Sequence, residues 1–213
     1  MDRDERLREA RLYGIVDLGY VAEADCEDAA RALLAGGVDV LQLRAKNYGK
    51  DRILEIAKGL VPLCRGKEVL LIVNDHVEVA QEAGADGVHL GQDDGSLAEA
   101  GAKLPGGAIL GRSTHSPAQA FAAVEEGADY IGFGPLFATP TKRGRPGIGL
   151  HDIAQVEEEV GANLPVFCIG GIKLDNLSEV LAAGARRIVM VSGLLQAENI
   201  TARCLEVREL LEI

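Results

Sequence analysis

Four things are scarce in this chain: cysteine pairs, long apolar runs, positive charge and low-complexity linkers. Its four cysteines, Cys26, Cys64, Cys168 and Cys204, are scattered with no C-x-x-C pair. That spacing suits neither a zinc site nor a disulfide framework. Structural thiols are expected, with Cys168 a small core residue inside an apolar run. No apolar run approaches the ~20 residues that a membrane span requires, and Met1 to Ala10 is charged where a secretory signal would be apolar. A cytoplasmic protein with no membrane partner is the simplest reading. Lys and Arg number 22 against 33 Asp and Glu, a net charge of −11. That balance disfavours nucleic acid, because phosphate neutralisation needs a basic footprint. It leaves room for a small anionic substrate, since local cations recur at Arg44 and Lys46 and at Lys142, Arg143 and Arg145. No linker divides the 213 residues, a length ample for one core and short for two full domains. One domain over residues 1–213 is expected.

What is present is alternation. Short β-rich runs near 12–16, 38–42, 69–73, 87–90, 108–112, 129–133, 165–169 and 187–191 are separated by helical patterns near 25–35, 49–64, 76–83, 96–103, 116–126, 151–160 and 174–183, with a last one near 200–211. Such alternation demands parallel strands joined by helical crossovers. A weak repeat accompanies it. Ala35-Gly36-Gly37-Val38-Asp39-Val40 resembles Ala83-Gly84-Ala85-Asp86-Gly87-Val88, and the shape returns at Glu126-Gly127-Ala128-Asp129 and Ala183-Gly184-Ala185-Arg186. Each unit puts glycine just past a helix and then enters a strand. The same spelling is ordinary helix-stop chemistry, but four uses at strands two, four, six and eight fit a closed barrel better than an open sheet. The expected fold is a single α/β (βα)8 TIM barrel, with a short charged helical extension over residues 1–11 that packs across the bottom or frays.

In such a barrel the carboxyl ends of the strands converge on one face, where active sites form. Polar residues stand there after nearly every strand. Gln42, Arg44 and Lys46 alternate, so their side chains share one face, and Arg beside Lys grips phosphate by planar fork and point charge together. Lys142 reaches the same space from strand six. Gly170-Gly171 and Ser192 close strands seven and eight, where barrels commonly hold phosphate on main-chain N–H groups; tight-turn chemistry asks for the same glycines. Asp75 and Asp94 end neighbouring strands, which suggests Mg²⁺ bridging a pyrophosphate, although each aspartate also stands where it can cap a helix. His89 reads as a satisfied interior histidine, and His115 as a proton-transfer group or a helix-start residue.

Gln42-Leu-Arg-Ala-Lys46, Asn74-Asp75, Gly87-Val-His-Leu-Gly-Gln-Asp-Asp94, Gly111-Arg-Ser-Thr-His115, Gly134-Pro-Leu-Phe-Ala-Thr-Pro-Thr-Lys142, Ile169-Gly-Gly-Ile172 and Val191-Ser192 together resemble the thiamine phosphate synthase family, in order and from about Leu12 to Leu195. The resemblance implies a barrel that joins a hydroxymethylpyrimidine pyrophosphate to a thiazole phosphate and releases pyrophosphate. It implies that Gln42, Leu43, Arg44, Ala45, Lys46, Asn74, Ser113 and Lys142 bind the pyrimidine pyrophosphate, with Arg44, Lys46, Lys142 and Ser113 catalytic. Asp75 and Asp94 would hold Mg²⁺, and Thr139, Pro140, Thr141, Gly171, Val191 and Ser192 would receive the thiazole phosphate. The loop from Thr139 to Gly149, with Gly144, Gly147 and Gly149, would be a lid. Three other readings compete. A thiazole tautomerase of the same superfamily would use His115. A non-catalytic regulatory binder of thiazole phosphate would not need Asp75, Asp94 and Lys142. An unrelated sugar-phosphate isomerase or epimerase would need a general base at its chemical centre. A homodimer is compatible with the sequence, which does not fix the oligomeric state.

Overall fold

The computed structural model describes residues 1–139 and 146–211. Eight parallel strands close a barrel in chain order, β1 hydrogen-bonding to both β2 and β8. They are β1 (Leu12–Asp17), β2 (Val40–Arg44), β3 (Leu70–Asn74), β4 (Gly87–Leu90), β5 (Ile109–Thr114), β6 (Tyr130–Phe133), β7 (Val166–Ile169) and β8 (Ile188–Met190). The helices are α1 (Arg3–Glu9), α2 (Cys26–Ala35), α3 (Lys50–Arg65), α4 (Val77–Ala83), α5 (Leu97–Lys103), α6 (Pro117–Glu125), α7 (Ile153–Glu159), α8 (Leu174–Ala182), α9 (Ser192–Leu195) and α10 (Ile200–Leu211). The expected (βα)8 barrel is therefore present. β2 starts two residues later than the apolar run suggests, because Val38 returns its N–H to Leu33 of α2. The short α9 was not expected, since four residues are too few for a helical period to register.

Two apolar layers hold the barrel. Leu41, Leu43, Leu71, Val73, Ile131 and Phe133 alternate outward onto the helices, in one buried cluster with residues such as Leu33, Leu60 and Leu177. Tyr13, Ile15, Val40, Leu70, Ile72, Tyr130, Phe167 and Val189 fill the interior instead, as the two-residue period of a strand requires. α1 does pack across the bottom. Its Leu7 joins the interior cluster, and Arg3 Nε meets Asp86 Oδ1 at 2.8 Å. All four cysteines are free and buried, as expected. Burial pushes the Cys26 thiol up to about 11 and the Cys64 thiol up to about 12, which leaves them inert at neutral pH.

The repeat turns out to be a fastening. Asp39 Oδ2 accepts the N–H groups of Arg11 and Leu12 at 2.8 and 2.9 Å, Asp86 Oδ2 that of Leu71 at 2.9 Å, and Asp129 Oδ2 that of Leu110 at 2.7 Å. Each aspartate before an even-numbered strand thus satisfies main-chain donors at the start of the preceding odd strand. Gly84 and Gly127 take left-handed φ values of 70° and 81°, which turns the chain from helix into strand and delivers those aspartates to the barrel's rim. In the fourth unit Arg186 stands where an aspartate is expected, and its own N–H is accepted by Glu157 Oε1 at 3.2 Å.

Candidate active site

β2 sorts the run from Gln42 to Lys46 by side. Gln42 and Arg44 face a cavity at the top of the barrel, together with Asn74, Ser113, His89, Tyr13 and Tyr130. Leu43 and Ala45 turn the other way, into the layer beneath the helices, so only their main chain is available to a ligand in the cavity. Arg44 Nη1 pairs with Asp17 Oδ2 at 2.6 Å, and Asp17, the last residue of β1, is 2% exposed. Its other oxygen accepts the Gly19 N–H at 2.9 Å. Asp17 thus sets the direction of the Arg44 guanidinium from below, a role no sequence signal marks because Asp17 reads as an ordinary strand-ending acid.

Lys46 lies just beyond β2 and reaches across to β3, with Nζ 3.5 Å from Asp75 Oδ2. Asp75 holds a φ of 64°, uncommon for a non-glycine residue and tolerated best by Asp and Asn. Two main-chain bonds fix it: its N–H donates to the His89 carbonyl at 2.9 Å, and the following His76 N–H donates to the Asn74 carbonyl at 2.8 Å. The helix-capping alternatives for the acids are not realised. α4 begins at His76 without a side-chain cap, and α5 is capped by Ser96, whose hydroxyl accepts the Glu99 N–H. Asp94 instead accepts the Gly91 N–H at 2.7 Å. Its loop is clamped by Arg112, which donates to the carbonyls of Gly91 at 2.7 Å and Gly95 at 3.0 Å and pairs with Glu126 at 2.9 Å.

Asp75 and Asp94 stand within hydrogen-bonding reach of each other. Burial pushes the Asp75 carboxyl above the usual carboxylate range; Lys46 pulls it down and Asp94 pushes it up again. Two oxygen ligands side by side, one partly desolvated, are a donor set suited to a hard divalent cation. Among the described residues no group of three or more His, Cys, Asp or Glu side chains is placed to hold a metal ion. A cation there would need further oxygens from substrate or water, which is how Mg²⁺ is commonly held.

A second cavity adjoins the first and shares Ile169, Val189 and Val191 with it. Thr139, Gly171, Val191 and Ser192 line it, as do Pro135 and Gly170. The segment after β6 lies along the end of β7, with the Leu136 and Phe137 N–H groups on the Ile169 and Gly170 carbonyls at 2.9 and 3.0 Å. Gly170, with φ 104°, permits that approach, because an added Cβ would stand 2.4 Å from Pro135 Cα. Ser192, the first residue of α9, lines this cavity, and the first N–H groups of a helix lack partners within it. Pro140, Thr141, Lys142 and the lid glycine Gly144 lie outside the described residues.

His89 is the satisfied interior histidine expected, bonded through both ring nitrogens to Tyr130 and Ser113 at 3.0 and 2.9 Å. His115 serves the start of α6: its N–H donates to Gln119 Oε1 at 2.8 Å, and its Nδ1 bonds the Gly134 carbonyl. Sequence reasoning missed Asp17, Tyr13, Tyr130 and the Arg112 clamp, all of which act through contacts across the barrel.

A closed parallel barrel with cations, paired carboxylates and glycine turns gathered at one end defines the class: a (βα)8-barrel enzyme. Residues 12–194 match the family model described as thiamine monophosphate synthase, and the chain belongs to that family. It is 46% identical over 191 residues to a thiamine-phosphate synthase of Thermus thermophilus, covering 89% of this chain and 91% of the relative. A thiamine-phosphate synthase of Halalkalibacterium halodurans is 40% identical over 199 residues, covering 93% of each chain. Among solved structures, a thiamine phosphate pyrophosphorylase from Pyrococcus furiosus superposes with a TM-score of 0.86 at 35% identity, covering 98% of both chains.

Proposed function

We propose that this chain, a transferase that forms thiamine phosphate, holds a pyrimidine pyrophosphate in the cavity lined by Gln42, Arg44, Asn74 and Ser113 and a thiazole phosphate in the adjoining cavity lined by Thr139, Gly171, Val191 and Ser192. The observation that carries this assignment is the shared wall. Ile169, Val189 and Val191 line both cavities, so two ligands so held would be neighbours. Arg44 lines the first cavity, and Lys46, beside Asp75 at 3.5 Å, adds a second cation from the same strand end, which suits a leaving group of high negative charge.

Departure of pyrophosphate leaves positive charge on the pyrimidine methylene, which the ring shares. Arg44 and Lys46 stabilise the charge building on the leaving group, and fixed donors in a water-poor cavity do so more effectively than bulk water. Lys142 would add a third cation. Asp75 and Asp94 would hold the divalent cation, taken as Mg²⁺ on the oxygen donor set, which supplies further charge to the pyrophosphate when bound. The thiazole nitrogen attacks the methylene, so the protein's contribution is positioning and exclusion of water, and no protein nucleophile is needed. Nothing favours the tautomerase reading over the synthase one, which the family match and the relatives support.

Purified protein with the pyrimidine pyrophosphate, the thiazole phosphate and Mg²⁺ should release pyrophosphate and form thiamine phosphate, and lose both on adding chelator. Thiamine phosphate formed equally well in chelator would remove the cation from the proposal.

A further inference from the structure

Five side chains from five different strands form one hydrogen-bonded file across the barrel interior. Gln42 Nε2 on β2 donates to Tyr13 Oη on β1 at 2.8 Å. Tyr13 Oη lies 2.9 Å from Tyr130 Oη on β6. Tyr130 Oη lies 3.0 Å from His89 Nδ1 on β4, and His89 Nε2 lies 2.9 Å from Ser113 Oγ on β5. The ends of the file, Gln42 and Ser113, are two of the residues assigned to the pyrimidine pyrophosphate; the middle three have no assigned role. Space for the file is built in. A Cβ on Gly111 would stand 2.3 Å from Tyr130 Cζ, so only glycine there lets the ring lie across the barrel.

The donors in this file can be ordered one after another. Each phenol has one proton to give, and buried hydroxyls use it. Both tyrosines keep that proton, since burial pushes them well above the usual phenol range. Tyr13 already accepts from Gln42, so its proton goes to Tyr130. Tyr130, accepting from Tyr13, gives its own proton to His89 Nδ1. A ring nitrogen that accepts carries no hydrogen, so the imidazole proton sits on Nε2 and points at Ser113 Oγ.

We propose that this file is a positioning device: Gln42, acting through Tyr13, Tyr130 and His89, makes Ser113 Oγ a hydrogen-bond acceptor on its inner side, so that the Ser113 hydroxyl proton is directed outward as a donor to the bound pyrimidine pyrophosphate. The proposal rests on the substrate assignment above for its last step only. The order of donors is a property of the protein alone. Tyr13, Tyr130 and His89 are positioning residues, because they act through Ser113.

Two measurements test it. ¹⁵N NMR of histidine-labelled protein without substrates, with His89 assigned by its loss in His89→Gln, should show a protonated Nε2 and a bare Nδ1. Tyr130→Phe should abolish that preference, whereas Tyr13→Phe should keep it. A proton on His89 Nδ1 in the unmodified protein would mean that the file runs in the opposite direction and would overturn the proposal, whatever the activity. The second measurement is a kinetic cycle. Tyr130→Phe should lower turnover about tenfold, the worth of one well-placed hydrogen bond, and should cost nothing further in a Ser113→Ala background. Additive losses would show that Tyr130 acts on its own and would also overturn the proposal. Normal turnover by Ser113→Ala, with the Nε2 tautomer intact, would instead strike down the substrate assignment, and the outward donor with it.

Discussion

Lys46 Nζ and Asp75 Oδ2 face each other at 3.5 Å across the ends of β2 and β3. The pair joins the cationic and the acidic halves of the site. On the substrate assignment proposed above, pyrophosphate would draw Lys46 from Asp75 to itself. Lys46 is about half exposed, so that exchange costs little stability, as expected of a solvated ion pair.

Asp75→Asn keeps the left-handed backbone, which Asn also tolerates, and removes one carboxylate from the cation site proposed above. Turnover should fall by at least about a hundredfold, given the several kcal/mol that a bound cation contributes to a charged transition state. The melting temperature should hardly change. Steady-state kinetics across a Mg²⁺ titration checks this; a variant with undiminished turnover and the same Mg²⁺ dependence removes Asp75 from the cation site.

Asp17→Ala leaves the Arg44 guanidinium without its buried partner. Breaking a buried pair costs roughly 3–5 kcal/mol. Arg44 keeps some solvent contact at 16% side-chain exposure, so a loss at or just below that range, about 2–3 kcal/mol, is expected in urea unfolding. Binding of the pyrimidine pyrophosphate should weaken while that of the thiazole phosphate holds. Equal weakening of both in calorimetric titrations would contradict the division of the site.

Gly170→Ala places a methyl 2.4 Å from Pro135 Cα at a residue whose φ is 104°. Overpacking and backbone strain each cost about 1–3 kcal/mol, so the stability loss should exceed that of an ordinary surface change. The segment carrying Thr139 must move, and the KM for thiazole phosphate should rise more than that for the pyrimidine. A thermal melt and a pair of substrate titrations decide it.

Asp39→Ala removes the acceptor for the Arg11 and Leu12 N–H groups and the Arg208 partner at 3.0 Å. Each orphaned donor costs about 1–3 kcal/mol, less where water reaches it, so a loss of about 2 kcal/mol is expected in denaturant unfolding. These contacts lie at the end of the barrel opposite the site, and turnover per folded molecule should be unchanged. A large fall in turnover would show that the two ends are coupled.

Much of the barrel was legible before any coordinate. The alternation of β-rich and helical runs located all eight strands, and helix stops such as Gly84 marked where strands begin. Residues after the strands could be assigned to one face because a parallel barrel leaves them nowhere else to go. Arg44 at the end of β2, Lys46 just beyond it and the acids after β3 and β4 were legible for the same reason. The two-residue period also separates Gln42 and Arg44 from Leu43 and Ala45, but which set faces the interior depends on how the strand rolls against its neighbours.

What the sequence determined by itself was therefore periodic and local: strand and helix order, the stops, the polar ends, and the motifs that resemble one family. What the tertiary structure alone decided was which distant side chains share protons and charge. Asp17 and Arg44 are 27 positions apart and Tyr13 and Tyr130 are 117 apart, and no local pattern encodes such a pairing. The aspartates of the repeat show the division most plainly. Their spacing could be read along the chain, yet their partners are main-chain donors of other strands, and those donors come within reach only when neighbouring strands pair.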